Sequence, residues 1–298
     1  MHIYITERFG LTNADKKQLQ EAGAILQDAP SEQTEVAIGS REVVAAKLPN
    51  LKFLQLMSAG FDYLDTDDLK RRGVILCNAR GVYSIPIAEY VVGKILAVYK
   101  EDRTYLERQK KKEWLREAAN LELYTKKVLM LGTGSIASEI AKRLKAFGCF
   151  VVGINTDGRD IEFFDECAPL AKLNDWLPQA DIIINTLPAN QATKKLLNRD
   201  NLSLSKKDAL LINIGRGTTI VEADLIALLQ QGHFLAVVLD VFEKEPLDPN
   251  SPLWDHPRVI ITPHMSGDSD LVSERRKIQL LRNILHYLKG ESLENRVF

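Results

Sequence analysis

The chain has 298 residues, 45% of them hydrophobic and 27% charged, with a formal net charge of -1. That length exceeds one ordinary domain of ~100 to 200 residues and predicts two. The charge balance excludes a broadly basic nucleic-acid surface, and no apolar run approaches the ~20 residues of a membrane span, so a cytoplasmic protein without nucleic-acid or membrane partners is expected.

Cys77, Cys149 and Cys167 are odd in number and lack metal-ligand spacing, which predicts free thiols in a reducing compartment and no metal site. The basic run Lys110, Lys111 and Lys112 is bracketed by Glu107 and Glu113 and reads as a solvated helix face.

Residues 2–5 predict a strand, and residues 13–22 a helix with Asn13 as its N-cap. Residues 36–38, 53–57 and 74–77 read as further strands, with helices between them at 41–47 and 63–71. Such alternation implies a parallel sheet. Pro86 suits the first turn of a long connector helix with Ile87, Tyr90, Val91, Ile95 and Val98 on one face. From 101 to 123 the pattern stays helical but polar, with Tyr105, Trp114, Leu115 and Leu121 offering apolar surface. This segment is expected to pack on a second copy of the chain as a homodimer, or else on its own chain.

Residues 128–131 form an apolar strand that runs into Gly132, Thr133, Gly134, Ser135, Ile136 and Ala137 and then a helical pattern. Gly132 permits a tight turn, Gly134 lets backbone approach a pyrophosphate, and Ala137 lets helix and strand pack closely. The helix N-terminus then offers unsatisfied N–H groups and its positive dipole end to phosphate. Ile136, Ile140, Ala141, Leu144 and Phe147 are the expected apolar face, closed by Gly148. Strands follow at 150–154, 182–185, 210–213, 236–239 and 259–261, a helix at 223–231 and a last helix at 270–289 with Ile278, Leu281, Ile284, Leu285 and Leu288 on one face.

Three segments after strands carry reactive side chains: NIGRG at 213–217, LDVFEKEPL at 239–247 and ITPHMSG at 261–267. In open α/β sheets ligands bind beyond the carboxyl ends of the strands, which predicts that Arg216, Glu245 and His264 converge there.

With LMSAGFDYLD at 56–65, NARGVYSIPIAEYVV at 78–92 and NTLP at 185–188, these motifs span nearly the whole chain, which resembles the D-isomer-specific 2-hydroxyacid dehydrogenase family. The resemblance implies an α/β fold of two doubly wound lobes, a Rossmann cofactor-binding domain at 96–267 inserted into a flavodoxin-like substrate domain at 1–95 and 268–298. It implies a hydride exchange between a nicotinamide cofactor and a small 2-keto or D-2-hydroxy acid. His264 matches the family's proton donor, Glu245 its carboxylate partner, and Arg216 the cation that binds substrate. A carboxylate bonded to imidazole favours the imidazolium and fixes the ring, and a guanidinium fork grips a carboxylate bidentately. Ser58, Ala59 and Gly60 match the loop whose N–H groups meet the substrate carboxylate. Asp240 matches a residue near the nicotinamide carboxamide, Thr186, Leu187 and Pro188 a loop on the adenosine side, and Ile214 a backbone contact.

The departure from the family's NAD pattern is Asn155, where an acid would hold the ribose hydroxyls. Asn155 does not repel a 2′-phosphate, Thr156 can donate to it and Arg159 can pair with it, which predicts NADP(H) over NAD(H). Asp157 keeps NAD(H) open. Two other readings stand beside the reductase: a non-catalytic, nucleotide-sensing protein like the corepressors that share this fold, and a methyltransferase, which would leave NIGRG, DVFEKEP and TPH unexplained.

Overall fold

The computed structural model describes residues 1–40, 43, 48–116 and 120–298. They form two compact units, Met1–Tyr83 with Ser269–Phe298, and Ser84–Asp268. A division between 95 and 96 would cut the helix Ser84–Tyr99, which packs on the helix Ser135–Ala146 and so belongs with the second unit.

The first unit is built on five parallel strands: β1 (His2–Ile5), β2 (Ile25–Gln27), β3 (Val36–Gly39), β4 (Phe53–Leu56) and β5 (Ile75–Cys77). Their order, β2-β1-β3-β4-β5, is the flavodoxin-like one. β3 and β4 are buried along their whole length, which is why they read as continuous apolar runs rather than alternating ones. One face packs Ile3, Val36, Ile38 and Phe53 against Leu280, Leu281 and Ile284 of the final helix. The other packs Ala37, Leu54, Leu56 and Leu76 against Leu69 and Val74.

Several local expectations shift. The helix Asn13–Glu21 is capped by Thr12, not Asn13: the Thr12 hydroxyl accepts from Asp15 N–H at 3.2 Å while the Asp15 carboxylate accepts from Thr12 N–H at 2.8 Å. That reciprocal pair uses two otherwise orphaned donors and is worth ~1 kcal/mol. The second helix starts only at Thr66, because Asp65 caps it by accepting from Asp68 N–H. The helix expected at 41–47 lies, Val43 apart, outside the described residues. The last helix, Val272–Lys289, exposes Ile278 (53%), so its buried face is centred on Leu280, Leu281 and Ile284.

The second unit has seven parallel strands: β6 (Lys127–Leu131), β7 (Phe150–Asn155), β8 (Glu166–Pro169), β9 (Ile182–Asn185), β10 (Leu210–Asn213), β11 (Ala236–Leu239) and β12 (Val259–Ile261). Their order is β12-β11-β10-β9-β6-β7-β8. β6 pairs with β7 on one side and β9 on the other, so the direction of winding reverses there and a crevice opens beyond the strand ends. Phe147, expected on the buried face of the helix Ser135–Ala146, is its C-terminal cap and is exposed; Ala137, Ile140, Ala141 and Leu144 carry the packing.

The helix expected through 123 ends at Lys110. Lys112 adopts a left-handed φ of 58°, which no helix can continue, and residues 113–116 beyond it form no regular element. Trp114 is 95% exposed and Leu115 is also exposed. Among the described residues no helix is long and apolar enough to cross a membrane. None of the groups of His, Cys, Asp and Glu among them could hold a metal ion.

Candidate active site

β6 delivers the chain to the glycine loop at the point where the direction of winding reverses. Gly132 has φ 98°, and a Cβ there would stand 2.6 Å from Thr186 Oγ1. Thr186 is fixed in turn, since its N–H and hydroxyl both donate to the Leu131 carbonyl, at 2.9 and 2.8 Å. Gly134 is the N-cap of the helix Ser135–Ala146 and offers its first turn no side-chain cap. A Cβ on Gly134 would meet nothing within 4 Å, so the space before the first-turn N–H groups is open. Open space, uncapped donors and the positive end of a helix suit a dinucleotide pyrophosphate. Thr133 and Ile136 flank this cradle, with Thr133 packed over Gly153 of β7.

At the end of β7 the Asn155 side chain organises the following turn. Its carbonyl oxygen accepts from Gly158 N–H at 2.6 Å and Asp157 N–H at 3.3 Å, and its amide donates to the Arg159 carbonyl at 2.8 Å. Arg159 pairs with Asp157 at 2.8 Å with both side chains exposed. Thr156 is exposed on the same turn.

The ends of β9 and β10 are joined by buried polar side chains. Asn185 donates to Asn213 Oδ1 at 2.9 Å and to Thr219 Oγ1 at 2.6 Å, while Thr219 donates to the Arg216 carbonyl at 2.6 Å. These bonds set the path of 186–188 and of 214–217. Leu187 approaches Gly215 so closely that a Cβ would fall 2.6 Å from its carbonyl oxygen, and Ile214 is buried beside it. Pro188 accepts from the Thr193 hydroxyl through its carbonyl. Arg216 is half-buried, with Nη1 donating to the Gly215 carbonyl at 2.8 Å. Sequence reasoning missed Asn185, Asn213 and Thr219; the signal was an asparagine closing each of two neighbouring buried strands.

The loops after β11 and β12 bring the acid and the base together. His264 Nδ1 lies 2.8 Å from Glu245 Oε2, with the side chains 50% and 38% exposed. Glu245 Oε1 accepts from Phe242 N–H at 3.1 Å, and Glu222 accepts from Glu243 N–H at 2.5 Å, which holds the carboxylate's loop from beneath. Gly217 is required under this loop, since any Cβ would fall inside the Phe242 backbone. Asp240 is fully buried and its carboxylate accepts from Met265 N–H at 2.9 Å, Ser266 N–H at 3.0 Å and the Thr262 hydroxyl at 2.6 Å. A carboxylate on Nδ1 makes that nitrogen the donor, so Nε2 is left to give or take a proton.

Ser58, Ala59 and Gly60 belong to the first unit, following β4. Their carbonyls are engaged: Ser58 O accepts from Ala79 N–H, Ala59 O from the Asn78 amide and Gly60 O from the Ser58 hydroxyl. Among the described residues none accepts from their N–H groups.

A dinucleotide-type sheet that carries a His–Glu pair on the loops after β11 and β12 and an arginine after the adjacent β10 has the architecture of a nicotinamide-dependent oxidoreductase. Residues 92–266 match the model of the D-isomer specific 2-hydroxyacid dehydrogenase, NAD binding domain. The glyoxylate reductase of Thermofilum pendens is 32% identical over 249 residues, covering 82% of this chain and 74% of that protein. A D-isomer specific 2-hydroxyacid dehydrogenase family protein from Aeromonas salmonicida superposes with a TM-score of 0.85 at 32% identity, over 100% of this chain and 98% of that one. A D-isomer specific 2-hydroxyacid dehydrogenase from Xanthobacter autotrophicus, solved with NADPH and MES, gives 0.84 at 26% identity over 100% and 98%. The chain belongs to the D-isomer specific 2-hydroxyacid dehydrogenase family and is an NAD(P)-dependent enzyme of it.

Proposed function

We propose that the protein reduces a small 2-keto acid to the D-2-hydroxy acid, with NADPH preferred and His264 as the proton donor. The observation that carries this reading is the 2.8 Å contact between His264 Nδ1 and Glu245 Oε2, which leaves Nε2 for the reacting oxygen. Gly132, Thr133, Gly134, Ser135 and Ile136 hold the pyrophosphate, Thr186, Leu187 and Pro188 the adenosine side, and Ile214 adds a backbone contact; Asp240, fully buried with both carboxylate oxygens engaged by the loop after β12, acts behind the nicotinamide side rather than on the cofactor. When bound, the reduced nicotinamide supplies hydride to the carbonyl carbon. As that C–H bond forms, the carbonyl π electrons move to oxygen, which takes the Nε2 proton and leaves a neutral imidazole beside Glu245. Arg216 grips the substrate carboxylate and polarises the carbonyl, and the N–H groups of Ser58, Ala59 and Gly60 receive the carboxylate. The D stereochemistry follows the family.

The preference for NADPH rests on the turn after β7. Asn155 brings no charge against a 2′-phosphate, and Thr156 adds a hydroxyl donor. The Arg159–Asp157 pair is exposed on both sides and screened by solvent, so Arg159 gains by turning to a phosphate. The Xanthobacter autotrophicus protein was solved with NADPH, which agrees with this choice. The exposed side chains of Leu106, Trp114 and Leu115 fit a homodimer arm in the segment 101–123.

The test is a panel of glyoxylate, hydroxypyruvate, pyruvate and branched 2-keto acids with NADPH and with NADH. Turnover of at least one acid with a higher kcat/KM for NADPH supports the reading. A higher kcat/KM with NADH removes the cofactor choice, and failure to oxidise either cofactor with any acid removes the reaction.

A further inference from the structure

The His264 loop is held by a chain of side chains that starts on a different element. Tyr90 Oη lies 2.6 Å from Thr262 Oγ1, and Thr262 Oγ1 donates to Asp240 Oδ1 at 2.6 Å. The polarity is forced: the Thr262 proton goes to the carboxylate, so the Tyr90 hydroxyl must donate to Thr262. Burial pushes the Tyr90 hydroxyl up to about 12, so it keeps the proton it donates. Asp240 then presents both oxygens to the loop, one to Met265 N–H and the other to Ser266 N–H, while its backbone carbonyl accepts from His264 N–H at 2.8 Å. These contacts enclose a single residue, His264, whose φ of 52° is an unfavourable conformation for a side chain other than glycine.

From this geometry we infer that Tyr90 and Thr262 are positioning residues for the acid–base histidine, acting through Asp240 to hold His264 in its left-handed conformation. The inference rests on the role proposed for His264. Tyr90 sits on the helix Ser84–Tyr99, by which the chain enters the second unit, and Thr262 to Ser266 lie just before it leaves at Asp268. The relay therefore ties the incoming and outgoing segments to each other at the point where the histidine is mounted. Loss of the Thr262 hydroxyl removes a donor from a fully buried carboxylate and frees the loop to relax toward ordinary φ, which turns the ring away from Glu245. Misplacement of a reacting group by ~1 Å costs on the order of 100-fold in rate.

The experiment compares Tyr90→Phe, Thr262→Val and Thr262→Ser with the wild type, using NADPH and glyoxylate or hydroxypyruvate, whichever the wild type reduces. Thr262→Val is expected to lower kcat ~10- to 100-fold and Tyr90→Phe ~3- to 10-fold, with the NADPH dissociation constant within about twofold of wild type. Thr262→Ser keeps the hydroxyl and is expected to return kcat to within about threefold. A second readout needs no turnover: the Nδ1–H resonance of the His264 ring, assigned by its loss in His264→Gln, should be present in wild type and Thr262→Ser and broadened or lost in Thr262→Val. An unchanged resonance together with an unchanged kcat in Thr262→Val overturns the inference, as does a loss of NADPH binding and kcat together that Thr262→Ser fails to repair. If the wild type reduces no keto acid, the proposed reaction fails, and the ring resonance alone still decides whether Thr262 positions His264.

Discussion

His264 reaches Glu245 across 2.8 Å from a backbone held at φ 52°. The pair is local in space but separated in sequence by the whole of β12, so its geometry depends on how the loops after β11 and β12 are anchored rather than on either side chain alone. Glu245 is fixed through Phe242 N–H and His264 through Asp240, which gives the imidazole one orientation and one donor nitrogen.

The proposed preference for NADPH rests on the turn after β7. Arg159→Ala is expected to lower kcat/KM with NADPH ~10-fold and to leave the value with NADH within about twofold, because the 2′-phosphate is the one cofactor group proposed to meet this side chain. Asn155→Asp, which restores an acid at the strand end, is expected to reverse the preference. Equal losses with both cofactors in Arg159→Ala would count against the assignment.

Asp181 makes the second unit's stability depend on acid pH. Burial pushes its carboxyl up, but the Lys206 ammonium at 2.7 Å and the Lys127 N–H at 2.8 Å outweigh burial and leave it below the ordinary carboxylate value of 3.8. A depressed folded value means that the contribution is fully present above the unfolded value and is lost as pH falls through the folded one. Asp181→Asn is expected to cost ~1 to 3 kcal/mol at neutral pH. Denaturant melts of the two proteins should converge as pH falls below 3.8; a pH-independent difference would contradict this.

The thiols are predicted to be inert in the native protein. Burial pushes Cys77 and Cys149 up to about 11, and Cys167, which is half-buried, is also raised. At about pH 8 an aromatic disulfide reagent should label Cys77 and Cys149 only after unfolding, since the thiolate is the nucleophile. Rapid native labelling of either would show that the strands carrying them open readily.

Light scattering at micromolar concentration tests the arm. A dimer is expected for the wild type, and Trp114→Ala combined with Leu115→Ala should shift it toward monomer without lowering the melting temperature of the monomer unit. A monomeric wild type would remove the proposed interface.

Much of this molecule was legible in its sequence because its strands are buried on both faces. β6, β9, β10 and β11 read directly as apolar runs ending in Gly, Asn or Asp, and the motifs after them name Arg216, Glu245 and His264. The edge strands β2 and β8 did not, because Ile25 and Glu166 are exposed and the runs are short. The helical pattern runs on past Lys110, where the helix stops, because side-chain periodicity carries no warning of a left-handed residue such as Lys112. The least legible features were long-range: nothing in the neighbourhood of Tyr90 or Thr262 indicates a bond 172 residues apart. The sequence shows only that Asn155 lacks charge, whereas both ends of its amide build the turn that carries Arg159.

His264→Gln separates the proposed proton delivery by His264 from cofactor binding. Gln keeps polarity and much of the shape but cannot donate from a titrating ring nitrogen, so kcat for keto-acid reduction with NADPH should fall ~100- to 10,000-fold. NADPH binding, followed by fluorescence titration, should stay within about threefold of wild type, because the proposed cofactor contacts are the glycine loop and the turn after β7. Turnover within tenfold of wild type by the pure, folded variant would contradict proton delivery by His264.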